Sequence, residues 1–324
     1  MELVPFSPVP VISERDQLLW SADNFDVDDA CAKGFIAGKI PAYTYQYEDW
    51  NLFDYNLFTF DGMGGYFRGP APQALEKGCY AVALGSANTF GRFAQDPWPA
   101  LLGRALQIPM LNLGQAGAGP WLYSKPQNRD FVSHICNSAK FVFIEVMSGR
   151  SASNSEYVND SGCAGGVHRV TGERELNLHL PFQEALQTQD LTRLRRLVES
   201  SLESYEQSFS ELLSMISAKV VLVYHSMRDS HVFSLDDSTT LRSGVFNFPH
   251  LINDVILERL LSQSEILVKV IRPLNPDLAI NRFSGKKTYF SNTNKRRQNY
   301  YLGQLGHRRV AAEVIKQMSL FQLG

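Results

Sequence analysis

The chain has 324 residues, 44% of them hydrophobic, with 31 basic against 33 acidic side chains and a net charge of −2. That supports a full core, as one large α/β domain with extensions or two smaller domains, and it offers no global basic field for nucleic acid. No run approaches the ~20 apolar residues of a membrane span, and the start, Met1 to Pro5, lacks the basic-then-apolar pattern of a signal peptide.

Cys31, Cys79, Cys136 and Cys163 show no metal-ligand spacing. Reduced thiols and a cytoplasmic location are expected, with Cys79 and Cys136 acting as small hydrophobes. The acidic residues Asp229, Asp236 and Asp237 form no ligand set with spaced histidines, so no metal is expected. There is no Walker loop, and Gly114, Gly117 and Gly119 are wrongly spaced for a dinucleotide turn, so no cofactor is expected.

Residues 1–75 show no clear hydrophobic period. Pro5, Pro8 and Pro10 favour extended chain. Nine aromatic rings lie between Tyr43 and Tyr66. That density predicts an extension laid over the main domain, residues 76–324, or a platform on which a sugar stacks.

From Cys79 to Leu84 the chain reads as a strand buried on both faces. It ends in the small polar turn Gly85-Ser86-Ala87-Asn88-Thr89. Pro97 to Gln107 reads as a short helix with prolines in its first turn. A second buried strand, Pro109 to Gly114, precedes the turn Gln115 to Gly119, and Trp121 to Asn137 is mostly helical. Lys140 to Met147 is a third strand ending in polar residues from Ser148 to Asn154. Residues 155–180 read as a long polar loop, a functional lid or a mobile segment. Leucines from Leu191 to Leu202 recur near helical spacing, placing one or two helices between Phe182 and Ala218. Lys219 to Tyr224 is a fourth strand, ending at His225-Ser226. Residues 228–248 read as a loop, Leu251 to Leu261 as a helix and Glu265 to Ile271 as a fifth strand. A basic loop over 272–298, with Lys286, Lys287, Lys295, Arg296 and Arg297, precedes a closing helix from Gly303 to Phe321.

Five strands joined by helical crossovers predict a mainly parallel sheet covered on both faces. The fold class is α/β: a three-layer α/β/α sandwich of flavodoxin-like winding, plus the aromatic extension. Ligands of such sheets bind at the carboxyl ends of the strands, where the polar turns fall.

The order of these turns resembles the SGNH (GDSL-type) hydrolase superfamily, which includes esterases, lipases and carbohydrate acetylesterases. Its first block, Gly-Asp-Ser-x-Thr-x-Gly, corresponds to Gly85-Ser86-Ala87-Asn88-Thr89-Phe90-Gly91. Its second, Asn-x-Gly-x-x-Gly, matches Asn112-Leu113-Gly114-Gln115-Ala116-Gly117 in full. The third, Gly-x-Asn-Asp, has Ser148 to Asn154 in its place. The last, Asp-x-x-His before a closing helix, has Gln298 and Tyr301 at its two positions, with Gly306-His307 just beyond. The runs Arg68-Gly69-Pro70, Gly85 to Phe93 and Asn112 to Pro120 look more closely like an uncharacterised bacterial family with this SGNH-like core.

The nucleophile position thus holds Ala87 and the base position Tyr301. A serine esterase on this chain needs Ser86 as nucleophile and another histidine, His307 or His225, as base; otherwise Ser86 is a helix cap and His307 a packed helix-face histidine. The resemblance puts Asn88, Asn112 and Gly114 on the oxyanion side, although a glycine turn with positive φ explains Gly114 equally. Arg150 and Asn154 are candidate substrate contacts, since Arg holds a carboxylate, sulfate or phosphate with two parallel hydrogen bonds; solvated or loop-stapling roles are equally open. The implied function is a hydrolase or acyl-transfer enzyme acting on an esterified carbohydrate or similar small ester. The alternative is a non-hydrolytic relative that binds an anionic sugar or activated donor in polysaccharide modification. Nothing in the sequence fixes an oligomeric state.

Overall fold

The computed structural model describes residues 3–5, 44–50, 52–60, 62–226, 234, 237–271, 279–281, 285–288 and 301–321. Cys31, Tyr43, Asp229, Asp236, Lys295, Arg296, Arg297 and Gln298 lie outside the described residues.

Three strands, β1 (Leu3–Pro5), β2 (Phe58–Phe60) and β3 (Met63–Phe67), form a small antiparallel sheet in that order. A single helical turn, α1 (Tyr45–Glu48), precedes β2. The main sheet begins at β4 (Ala81–Leu84), followed by α2 (Ala87–Phe90) and α3 (Trp98–Leu106). Then come β5 (Met110–Asn112), α4 (Pro120–Ser124), α5 (Pro126–Asn137) and β6 (Phe141–Glu145). The stretch expected to be mostly helical over 121–137 is two helices: Pro126 lacks the N–H that would continue α4, and Lys125 is extended at φ −55, ψ 137.

Residues 155–180 are not a bare loop. They hold the antiparallel meander β7 (Tyr157–Val158), β8 (Gly166–His168) and β9 (Arg174–Glu175). Gly166 makes it possible, because a β-carbon there would lie 2.5 Å from the Val158 carbonyl oxygen. Next are α6 (Leu180–Gln187), α7 (Leu191–Ser214) and β10 (Lys219–Ser226). The segment expected as a loop over 228–248 contains α8 (Ser238–Phe246). Its Ser, Thr and Gly content argues against a helix; burial of Leu241 and Val245, one turn apart, overrides that preference. The chain closes with α9 (Asp254–Leu261), β11 (Ile266–Ile271) and α10 (Gln304–Leu320).

Among the described residues the main sheet has five strands, ordered β11-β10-β6-β4-β5, with every pair parallel. The fold is therefore the three-layer α/β sandwich expected, with flavodoxin-like winding. Chain direction across the sheet reverses between β4 and β6, the switch point at whose carboxyl ends open α/β sheets have their ligand crevice.

Strand residues alternate between two cores. Val82, Leu84, Val142, Ile144 and Leu222 face the layer of α5, α7 and α9. Ala81, Ala83, Phe141, Phe143, Val221 and Val223 face Trp98 and Leu102 of α3 and Val310 and Val314 of α10. Phe58, Phe60 and Phe67 join the first core, with the Phe60 ring 5.0 Å from that of Phe131. Tyr45 and Tyr55 meet Phe90 edge-on at 5.3 and 5.0 Å. Cys136 is buried, whereas Cys79 is exposed in the turn before β4 and does not act as a core hydrophobe. No helix among the described residues is long and apolar enough to cross a membrane.

Candidate active site

Period two along β6 places Glu145 on the same face as Phe141 and Phe143. It is the last residue of the strand, at the crevice, and fully buried. Val223 of β10 is its register partner, so His225 lies two residues further along the same face. β4 contributes from the other side: its chain turns at Gly85 into α2, with Ser86 as N-cap, its Oγ accepting from the Asn88 N–H.

Five donors converge on the Glu145 carboxylate. Ser86 donates Oγ–H to Oε1 at 2.8 Å and its backbone N–H to Oε2 at 2.8 Å. Thr89 donates Oγ1–H at 2.5 Å and its N–H at 3.2 Å, both to Oε2. His225 Nε2 sits 3.1 Å from Oε1. An ionised carboxylate only accepts, so Nε2 carries the hydrogen. Burial alone would raise the carboxyl pKa. The hydrogen bond and charge of His225, then the bonds from Thr89 and Ser86, outweigh it and hold Glu145 below the usual carboxylate range. The Phe248 ring stacks on His225 at 5.1 Å.

A second turn braces the first. Asn112 Nδ2 donates to the Thr89 carbonyl at 2.7 Å, and Asn112 Oδ1 accepts the Gly114 N–H at 3.0 Å. Gly114 is glycine because of close approach, not positive φ: a β-carbon there would lie 2.3 Å from Phe90 N. The groups expected on the oxyanion side are thus bonded to each other and to α2. Asn88 Oδ1 accepts the Leu302 N–H at 2.9 Å, pinning the entry to α10.

His307, in the first turn of α10, is fully buried, and its Nδ1 accepts the Trp98 N–H at 3.1 Å. Its Nε2 has no partner among the described residues. Burial pushes its pKa down to about 3, with smaller contributions from His225 and Arg68. Tyr301 lies edge-on to Phe93 at 5.1 Å, near the Arg92 guanidinium. Ser86 makes no hydrogen bond to an imidazole among the described residues. Its hydroxyl and His225 meet instead on one carboxylate oxygen.

Arg150 lies just past β6 and places Nη1 2.8 Å from His250 Nε2, while His250 Nδ1 is 2.6 Å from Ser148 Oγ. Asn154 staples its own loop, its Oδ1 accepting the N–H groups of Glu156 and Tyr157. The structure therefore gathers Ser86 and His225 at one centre. Asn88, Asn112 and Gly114 brace it, His307 lies on the same face of the sheet against Trp98, and Arg150 and Asn154 sit along the β6 exit.

Glu145 and His250 escape a reading of motifs alone. A glutamate closing a run of apolar strand residues is a visible signal for the first; His250, in a loop, has none. Among the described residues no group of three or more His, Cys, Asp or Glu side chains could hold a metal ion. A cavity of about 300 Å³ lies beside α2, lined by Tyr45, Tyr66, Phe90 and Gln115 among others.

Residues 43–160 match a family described as a domain of unknown function, DUF6473. No curated protein matches the sequence. Solved structures similar to the chain include the lipase Lip_vut3 from a goat rumen metagenome, at 10% identity and TM-score 0.40, covering 73% of this chain and 96% of the lipase. A carbohydrate esterase family 2 enzyme with a carbohydrate binding domain, from Corynascus thermopiles (Myceliophthora fergusii), is 12% identical at TM-score 0.37, covering 79% of this chain and 71% of that one. A member of the lipolytic G-D-S-L family from Veillonella parvula is 11% identical at TM-score 0.32, covering 74% and 98%.

Proposed function

We propose that the chain is an ester hydrolase or acyl-transfer enzyme acting on a small ester or an esterified carbohydrate, with Ser86 as nucleophile, Glu145 as proton acceptor and His225 as the group that holds Glu145. One observation carries this reading. At the crevice between β4 and β6, a serine hydroxyl donates to a buried carboxylate whose same oxygen is held by an imidazole. The Asn112 to Gly117 block, which matches the SGNH pattern in full, supports it from the sequence.

In the proposed reaction Ser86 Oγ attacks the acyl carbon while its proton passes to Glu145 Oε1. The carbonyl oxygen becomes an oxyanion, and the proton then goes to the departing alcohol as the C–O bond breaks. Water, or an acceptor hydroxyl, repeats the cycle on the acyl-serine. A carboxylate held low in pKa is a weak base, so this centre suits activated esters. His225 orients the carboxylate through its Nε2–H as the proton passes.

The test is turnover by the full chain on p-nitrophenyl acetate and acetylated sugars, with Ser86→Ala and Glu145→Gln as controls. Each substitution should lower kcat by roughly 10²-fold or more. Turnover indifferent to Ser86→Ala would remove that residue from the reaction. A folded protein without turnover on any ester would favour the non-hydrolytic reading.

A further inference from the structure

Beyond the β6 exit, four polar side chains gather that the reaction above does not use. Ser148 and Arg150 are half-buried, while His179 and His250 are 5% and 1% exposed. An arginine nitrogen can only donate, so the 2.8 Å contact from Arg150 Nη1 fixes His250 Nε2 as the acceptor. His250 is then the neutral tautomer with its hydrogen on Nδ1. That hydrogen is donated to Ser148 Oγ at 2.6 Å, and the His250 backbone N–H reaches the same oxygen at 3.2 Å.

The consequence is chemical. Ser148 receives two N–H donors and cannot hand its proton to His250, so this serine–histidine contact is not a nucleophile–base pair. Accepting two hydrogen bonds polarises the hydroxyl and strengthens it as a donor. Its own hydrogen has no acceptor among the described residues. The His179 ring lies 6.0 Å from that of His250, and its Nδ1 is buried without a partner among the described residues. Burial, then the Arg150 charge, brings the His179 pKa down to about 3. The neighbourhood disfavours another cation.

We infer that Ser148, Arg150 and His179, aligned by His250, form a subsite for an anionic oxygen group on the ligand: a carboxylate, sulfate or phosphate. A guanidinium and a polarised hydroxyl both donate, which is the complement such a group requires. An anion there would accept the Ser148 hydrogen. It would also accept from His179 when that ring carries its hydrogen on Nδ1, relieving a buried polar atom that is otherwise unsatisfied. The subsite adjoins the Glu145 centre through Phe248, which stacks on His225 and lies 6.0 Å, edge-on, from the His250 ring. A ligand spanning both would present its acidic group here and its remaining part to the crevice. The inference concerns binding alone and does not depend on turnover.

The experiment is a thermal-shift titration of the full chain with acetate, sulfate and inorganic phosphate against chloride at equal ionic strength, repeated on Arg150→Gln and Ser148→Ala. Both side chains are half-buried, so the variants should fold, which their melting curves without added anion check. At least one of the three anions should give a saturable rise in Tm above chloride, following RT ln(1 + [L]/Kd). Which anion does so identifies the acidic group. Arg150→Gln should abolish that rise, and Ser148→Ala should weaken the apparent Kd several-fold. No saturable rise with any anion, or an undiminished rise in Arg150→Gln, would overturn the assignment. Loss of esterase activity with anion binding intact would count only against the reaction proposed for Ser86.

Discussion

Gly85 and Glu145 fill a space that holds no further atom. A β-carbon on Gly85 would stand 2.5 Å from Glu145 Oε2, 2.7 Å from Glu145 Cβ and 2.1 Å from Thr89 Oγ1. The glycine is the condition for the carboxylate to reach the turn after β4, so the first strand's turn and the third strand's end are one unit. Gly85→Ala should cost about 1–3 kcal/mol by overpacking. Because the displaced groups are the carboxylate and Thr89, activity should fall further than the folded fraction does. Urea unfolding beside specific activity would separate the two, and a variant as stable and active as the parent would show that the turn has slack.

Glu145→Gln puts an amide where five hydrogen bonds need acceptors. One of its ends must then face N–H or O–H donors, leaving buried groups unpaired at a cost of about 2–5 kcal/mol. The acid response should change too. The Glu145 carboxyl is held low in the folded protein. It therefore stabilises the fold above the unfolded carboxylate value of about 4.3, and that contribution is lost as pH falls through the folded value. Stability measured from pH 5 to pH 2.5 should fall less steeply in Glu145→Gln than in the parent. Parallel curves would mean that the carboxyl is not depressed.

The sheet was readable because its strands are short apolar runs separated by turn residues, and burial on both faces leaves that pattern little choice. The centre was only half readable. Ser86 lies in the turn after one strand and His225 near the end of another, so the carboxyl-edge rule finds them. Glu145 ends one too, but a motif search passes over a residue the SGNH blocks do not name. His250 meets Ser148 across 102 residues through packing that no local pattern encodes. Gly114 illustrates the remaining limit: the sequence shows that a glycine is needed, and only the approach to Phe90 shows why.

Arg92 fastens the aromatic segment to the sheet domain. Its Nε and Nη2 reach Asp49 at 2.8 and 3.1 Å, and Nη2 also reaches Glu48 at 2.5 Å. The guanidinium lies 4.1 Å from the centroid of the Tyr45 ring. Arg92 and Asp49 side chains are 6% and 1% exposed, so removing one partner strands a buried charge. Arg92→Met should destabilise by about 3–5 kcal/mol, and the double variant with Asp49→Asn by less than the sum of the two single changes. Limited proteolysis of Arg92→Met should cut first within residues 44–60. Cleavage that begins elsewhere would show that the segment is held chiefly by Phe58, Phe60 and Phe67.

His307 gives a prediction at milder pH. Folded, it takes a proton only near pH 3; unfolded, it does so near 6.5. Between these values the unfolded chain binds more protons, so stability must fall as pH drops from about 6.5 toward 3. From pH 7.5 to 5 this one side chain accounts for up to about 2 kcal/mol, in a range where Glu145 is ionised in both states. His307→Asn keeps an acceptor for the Trp98 N–H and removes the titration. It should therefore lose less stability than the parent over that interval, though it starts lower at pH 7.5 because the replacement fills less of the buried site. His179, also held near 3, stays in both proteins and leaves a common slope. Urea midpoints at the two pH values decide the matter: equal losses in parent and variant would mean that His307 is protonated inside the fold, against its burial beneath Trp98.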